Sequence, residues 1–138
     1  MNRYLLDTNV VSELRKPKPH GAVLAWIAGL EDGQTYVSAV TLGELQTGVE
    51  RTRIQDSRRA SEIEQWLNQL SDSLQILPMD AACFRECARL MEGKPDRLFE
   101  DGMIAATAGV YHLNVATRNE RDFAALGVQV LNPFKTTA

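Results

Sequence analysis

Strand-length apolar segments alternate with helix-length segments from one end of the chain to the other, and this alternation limits the fold more than any other feature. Arg3 to Leu6 is an apolar run broken off by Asp7, the length of a buried strand. Thr8 to Arg15 gives a helical turn or two, stopped by Pro17 and Pro19. From His20 to Leu30, Val23, Leu24, Ile27 and Leu30 recur at helical spacing with Trp26 beside them. Asp32-Gly33 turns into a strand at Thr35 to Val37, and a helix follows from about Ala39 to Arg53. A second long helix, about Asp56 to Leu70, carries Ile63, Trp66, Leu67 and Leu70 on one face, so the two form an antiparallel pair across a short basic link. Gln75 to Leu77 is a brief strand closed by Pro78, and Asp80 is placed to cap a helix reaching about Met91. After a loop at Gly93 to Arg97, a helix covers roughly Glu100 to His112. A strand at Asn114 to Ala116, a helix at Asn119 to Leu126 and a last strand at Val128 to Leu131 complete the series. Strands alternating with helices predict the α/β class, with a parallel sheet covered on both faces. Such sheets place ligands beyond the carboxyl ends of their strands.

The length of 138 residues suits one domain spanning residues 1–138. A hydrophobic share of 44% with 24% charged residues is globular, which excludes a disordered tail or a collagen-like rod. Two cysteines make no disulfide framework, and MNRYLLDTN carries Arg3 and Asp7 where a secretory signal would be apolar. The longest run free of Asp, Glu, Lys and Arg is Gly102 to Thr117, 16 residues that include His112 and Asn114, which is unsuited to spanning a bilayer. The expected home is a reducing cytoplasm, with no membrane partner. Fifteen Lys and Arg against eighteen Asp and Glu give a net charge of −3. A nucleic-acid-binding domain is usually basic. A polyanionic substrate would here need a bound divalent cation and local basic clusters to attract it.

Four acids could carry chemistry. Asp7 directly follows the first strand, although Asp there also suits a helix N-cap. Val40, Glu44 and Gly48 share a helix face, which turns the Glu44 carboxylate toward the protein; Thr41 and Glu44 equally fit a capping box. Asp101 heads a stripe of Ile104, Ala105, Ala108 and Gly109, with no basic residue at i+3 or i+4. An ionised carboxylate buried there costs several kcal/mol or more unless paired or metal-bound, and a helix N-terminus offsets only ~0.3–1 kcal/mol of it. Asp122 lies in ATRNERDF with Asn119 at a capping position, just past the strand Asn114 to Ala116. Gathered together these acids repel, by about 4 kcal/mol for two charges ~4 Å apart at an effective dielectric near 20. A hard divalent cation removes that cost. With no His or Cys nearby in sequence, oxygen ligands favour Mg²⁺ or Mn²⁺ over Zn²⁺. The chemistry reached is metal-dependent reaction at a phosphate or phosphodiester.

MNRYLLDTNVVSEL, AVTLGELQTGV, EDGMIAATA and TRNERDF, in this order and spacing, resemble the PIN domain. More narrowly they are similar to the VapC-type toxins of type II toxin–antitoxin modules, close to the FitB-like branch, and the match extends to the closing VQVLNPF. The resemblance implies a three-layer α/β/α fold around a mostly parallel sheet of about four to five strands. It implies that Asp7, Glu44 and Asp101 hold the metal, that Asp122 is a fourth catalytic acid, and that Asn119 occupies a position that is acidic in some members. Thr8, Thr117 and Asn119 would be outer donors bracing the ligands. It further implies an Mg²⁺-dependent endoribonuclease, a cognate VapB-like antitoxin that blocks the site through a basic side chain, and a homodimer. Arg15, Lys16 and Lys18 after Asp7, and Arg118 and Arg121 around the last motif, could meet RNA phosphates, or could form a solvated edge.

Cys83 and Cys87, four apart on one helix, read as small core residues, and His20 and His112 as structural. Trp26 and Trp66 read as core, and Arg51, Arg53, Arg58 and Arg59 as solvating the helix link. Two other functions remain open. A haloacid-dehalogenase-type phosphatase also begins with an Asp after its first strand, but needs a second Asp where this chain has Asn9. A non-catalytic PIN-like binding module would use the acids as caps alone.

Overall fold

The computed structural model describes residues 1–135. The elements follow in the order β1 (Tyr4–Leu6), α1 (Thr8–Glu13), α2 (Gly21–Ala28), β2 (Thr35–Ser38), α3 (Ala39–Gln55), α4 (Ser57–Ser73) and β3 (Gln75–Leu77). There follow α5 (Ala81–Met91), a 3-10 turn (Asp96–Leu98), α6 (Phe99–Tyr111), β4 (Asn114–Ala116), α7 (Glu120–Ala125) and β5 (Val130–Leu131). The sheet order is β3-β2-β1-β4-β5 and every pairing is parallel.

The period-two geometry of β1 divides the core. Leu5 faces one layer with Ile104, Ala105 and Ala108 of α6, Val115 of β4, and Phe123 of α7. Tyr4 and Leu6 face the other, with Val10 and Val11 of α1, Val23 of α2 and partly buried Trp26 and Trp66. Helices thus cover both faces, and the three layers expected from the sequence are present. The Tyr4 and Trp26 rings meet edge to face at 5.0 Å. The α3–α4 pair has its own core of Val49, Ala60 and Leu67. Among the described residues no helix is long and apolar enough to cross a membrane.

Three expectations need correction. The link between α3 and α4 does more than meet solvent: Arg53 pairs with Glu50 at 3.0 Å and with Glu64 at 2.7 Å, so one guanidinium joins the two helices. The apolar stripe of α6 ends at Ala108, and Gly109 is exposed. The segment before α6 is not all loop, because it closes with the 3-10 turn at Asp96–Leu98. His20 and His112 are structural: His20 Nδ1 accepts from Ala22 N at 3.2 Å, and His112 ends α6 in the left-handed conformation at φ 58°. Cys83 and Cys87 are buried and unpaired.

At Gly102, next to Asp101, the side chains of α5 press against the backbone of α6. A Cβ on Gly102 would lie 2.6 Å from Met91 Sδ and 3.6 Å from Cys87 Sγ. Gly102→Val should therefore destabilise the chain by about 1–3 kcal/mol in urea unfolding, as overpacking does. A Met91→Ala background should remove part of that cost, and a penalty unchanged there would refute the contact as its cause.

Candidate functional site

The carboxyl end of β1 delivers Asp7 into a nearly closed position, 5% exposed. Its Oδ1 accepts from Thr8 N at 2.8 Å, so Asp7 does cap α1. Its Oδ2 accepts from Thr117 Oγ1 at 2.8 Å and from Asn9 Nδ2 at 3.1 Å. Burial raises the pKa of Asp7, and the hydrogen bonds from Thr117 and Thr8 only partly offset the rise. Thr117 follows β4 directly, and its hydroxyl also accepts from Asn119 N at 2.9 Å.

Glu44 lies in the second turn of α3 and is no part of a capping box. Ser38 caps that helix, its Oγ accepting from Val40 N at 3.0 Å. Thr8 Oγ1 lies 3.0 Å from both Glu44 Oε1 and Thr41 Oγ1. A hydroxyl has one hydrogen, and the carboxylate is the stronger acceptor of it. The Glu44 pKa is pushed up to about 7, first by burial and then by the hydrogen bond and charge of Glu100 and the charge of Asp7, against the Thr8 hydrogen bond.

Asp101 stands in the first turn of α6, half-buried, and accepts from Asn119 Nδ2 at 3.1 Å. Its pKa rises to about 6, through burial first and then the charges of Asp7, Asp122 and Glu100, partly offset by Arg97. Asp122 behaves differently. It accepts from Asn119 Nδ2 at 3.0 Å and from Arg97 Nη1 at 3.3 Å, and the Asn119 bond above all lowers its pKa. Asn119 sits at the N-cap of α7 without making a side-chain cap bond. The expected capping arrangement is absent because the amide spans Asp101 and Asp122 instead.

The four acids expected from the sequence therefore share one neighbourhood, and only Asp7 also serves as a cap. That weighs against a set of acids placed purely as caps. The donors are all oxygens, and three of the carboxylates are held in conditions that disfavour their charge. This is the chemistry a hard cation would relieve. Among the described residues no three of His, Cys, Asp and Glu stand close enough to enclose an ion by themselves. A magnesium-like ion keeps several waters and takes only one or two carboxylates directly, so Asp7 and Asp101 suit it as ligands, with Glu44 beside them.

The PIN domain family model matches residues 4–129. The chain belongs to the PIN-domain family. It is 38% identical to a protein named VapC ribonuclease Y4jK from Sinorhizobium fredii, over 95% of this chain and 97% of that one. It is 36% identical to Toxin FitB from Neisseria gonorrhoeae, over 94% and 97%. Its fold superposes on the crystal structure of FitAcB from Neisseria gonorrhoeae with a TM-score of 0.82, at 35% identity, covering 96% of this chain and 99% of that one. Membership in the PIN family removes the haloacid-dehalogenase alternative, and Asn9 is a donor to Asp7 in this PIN domain rather than the missing second acid.

The basic residues divide. Lys16 Nζ is 2.9 Å and Arg118 Nη2 3.9 Å from Glu13 Oε1, and the Arg118 guanidinium lies 3.7 Å above the Phe134 ring. Arg15 lines a groove of about 310 Å³ with Thr8, Ser12, Glu44 and Trp66. Arg121 shares a shallow basin with Arg118 and Asn119, and Lys18 is exposed. Sequence reasoning missed Glu100, Arg97, Asn9 and Glu13 as members of this region. Glu100 alone carried a signal, being the acid adjacent to Asp101 in EDG.

Each raised carboxyl binds its proton more tightly in the folded chain than in the unfolded one, so folding gains from acid and loses as pH rises. The window runs from 4.5 to about 7 for Glu44 and from 3.8 to about 6 for Asp101. Asp122, being lowered, acts in the opposite sense only below 3.8. In chelator-treated protein, Tm should fall as pH rises from about 5 to about 7, and Glu44→Gln should flatten the fall. A Tm that climbs across that range would contradict the assignment of strain to these acids.

Proposed function

We propose that this PIN domain is a divalent-cation-dependent endoribonuclease, the toxin of a toxin–antitoxin module acting in the cytoplasm. One observation carries the reading: Asp7, Glu44 and Asp101 converge at the carboxyl edge of the sheet with their charge disfavoured by burial, and at Glu44 and Asp101 also by the charge of neighbouring acids, Asp7 among them. The relatives named as a ribonuclease and as a toxin, each matched over nearly the whole chain, support the substrate class and the biological role.

Asp7 and Asp101 would hold Mg²⁺ or Mn²⁺, with Glu44 beside them. When bound, such an ion supplies a water of lowered pKa and offsets charge on the reacting phosphate. The chain's own residues do the rest. Thr117 and Asn9 fix the Asp7 carboxylate, and Asn119 fixes that of Asp101. Thr8 fixes one oxygen of Glu44, and a carboxyl whose charge is disfavoured by burial and by Glu100 is the one best suited to accept the proton of a water attacking phosphorus in line. Asp122 is the poorer base of the two, since Asn119 and Arg97 already hold its oxygen and lower its pKa. Arg118 and Arg121 stand beside Asn119 where RNA phosphates would pass. Arg15, Lys16 and Lys18 would extend that contact. A cognate antitoxin would silence the site by covering the acids, a basic side chain being the natural complement to them.

Asp101→Asn should lower RNA cleavage by about 10²- to 10³-fold or more, the loss typical of removing one electrostatic contact to a reacting centre. Without metal, the same variant should be as stable as the parent or more so. Saturating Mg²⁺ should raise the parent's Tm, by an amount equivalent to about 2.7 kcal/mol at a hundredfold excess over Kd. The variant should shift less. Undiminished cleavage, or equal shifts in the two proteins, would remove Asp101 from the site.

A further inference from the structure

Four residues from three segments of the chain close into a ring beside the acids. Glu13, at the end of α1, is 5% exposed; its Oε2 accepts from His20 N at 2.9 Å and its Oε1 from Lys16 Nζ at 2.9 Å. The His20 ring meets the Phe134 ring edge to face at 5.4 Å. The Arg118 guanidinium lies 3.7 Å from the centre of the Phe134 ring, and its Nη2 comes back to Glu13 Oε1 at 3.9 Å. Phe134 is fixed in turn, its N donating to Asn132 Oδ1 at 2.9 Å while Asn132 Nδ2 donates to Glu120 Oε2 at 3.1 Å.

Arg118 is also tied to the acids. It directly follows Thr117, and its N donates at 3.2 Å to the Oδ1 of Asn9, whose amide donates to Asp7. Its guanidinium therefore has a ring beneath it and a buried charge at one end, yet 3.9 Å is too long for a hydrogen bond. Among the described residues its N–H groups reach no protein acceptor, and the side chain is 55% exposed. Planar donors left unspent beside a carboxylate cluster suit the oxygens of a phosphate. Arg15, Lys18 and Arg121 are exposed and make no ion pair or ring contact among the described residues, so each must be ordered when it binds. By charge alone Glu13 works against an anionic substrate; by position it works for one. We propose that Glu13, with His20 and Phe134, is a positioning residue that holds Arg118 ready for one phosphate of the RNA backbone next to the acids. The inference rests on the nuclease reading above and names the side chain that seats the substrate.

The two effects of Glu13 have opposite signs, so RNA affinity separates them. Binding of a short fluorescent single-stranded RNA of mixed sequence is read by anisotropy in Mg²⁺, in an Asp101→Asn background that spares the RNA. Arg118→Gln should weaken binding and lower the slope of log Kd against log salt by about 0.7, the loss of one phosphate contact to a single strand. Glu13→Gln keeps an acceptor for His20 N and should weaken binding about two- to tenfold, the ordering cost of one long side chain. Phe134→Leu should do the same with no change of charge. Once Arg118 is Gln, neither change should weaken binding further. With Asp101 restored, Glu13→Gln should raise KM for cleavage and leave kcat unchanged. Circular dichroism checks each fold; should Glu13→Gln unfold, Phe134→Leu with and without Arg118 decides the same question. Tighter or unchanged binding by folded Glu13→Gln, or equal weakening with and without Arg118, would overturn this inference and leave the nuclease reading standing. A parent chain that neither binds nor cuts RNA would overturn the nuclease reading, and this inference with it.

Discussion

A buried carboxylate held only by neutral donors is the constraint around which this molecule is arranged. Asp7 is shut away from water, yet no cation among the described residues pairs with it. Three hydrogen bonds, from Thr8 N, Asn9 Nδ2 and Thr117 Oγ1, make its burial tolerable. Two of them come from its own helix, and the third requires that β4 end in register with β1. That register is fixed by the pairing of Leu6 with Ala116 and by the bond from Asp7 N to Ala116 O at 2.9 Å. The sheet register is thereby part of the site: a slip of one residue would turn Thr117 away and leave Asp7 without its hydroxyl.

The parallel topology accounts for the other acids. Helices that cross between parallel strands run back against them, so a helix that directly follows a strand or leads directly into one often starts at the carboxyl edge, as α3, α6 and α7 do here. The α3 helix starts there because β2 ends at Ser38, and it brings Glu44 within reach of Thr8. The α6 helix starts there because it must end where β4 begins, and it brings Asp101. The α7 helix follows β4 and brings Asn119 and Asp122. Convergence of four acids widely separated in sequence thus follows from strand order with β1 at the centre. The cost falls on the acids themselves, as the raised pKa values of Asp7, Glu44 and Asp101 record. A site kept in such electrostatic strain is where stability and function are expected to diverge.

How much of this was legible in the sequence depended on the range of the interaction. Features within one element read well. The break at Asp7, the position of Asp101 at the head of an apolar stripe and the spacing that turns Glu44 inward are all local periodicities, and the elements carrying them lie where the pattern puts them. Contacts between elements did not read. Asn119 has the composition of a cap and the position of one, and nothing in TRNERDF says that its amide will turn to a carboxylate eighteen residues away. Arg53 lies in a run of arginines, and only the packing of α3 on α4 shows that it pairs with Glu64. Gly109 falls on the helical period of Asp101, but α6 emerges from the core one residue earlier. The capping box at Thr41 and Glu44 failed for a local reason: Ser38, at the end of the strand, was the better cap, and it left the Glu44 carboxylate to other partners.

The overall charge of −3 makes local arrangement of cations the remaining condition for binding a polyanion. Glu13 meets that condition indirectly. It is 5% exposed, accepts from His20 N at 2.9 Å, and draws Lys16 and Arg118 toward one buried point. Hydrogen bonding to Lys16 keeps its pKa below the ordinary value, so it stays charged wherever RNA would be bound. Phe134 then supports the Arg118 guanidinium from beneath, and the His20 ring packs against the same aromatic at 5.4 Å. A guanidinium stacked on a ring and tethered at one end loses less freedom on meeting a phosphate than a free arginine does. The acids clustered at the sheet edge and the acid that organises the cations are therefore separate, and the short helix α1 carries one at each end: Asp7 caps its start and Glu13 closes it.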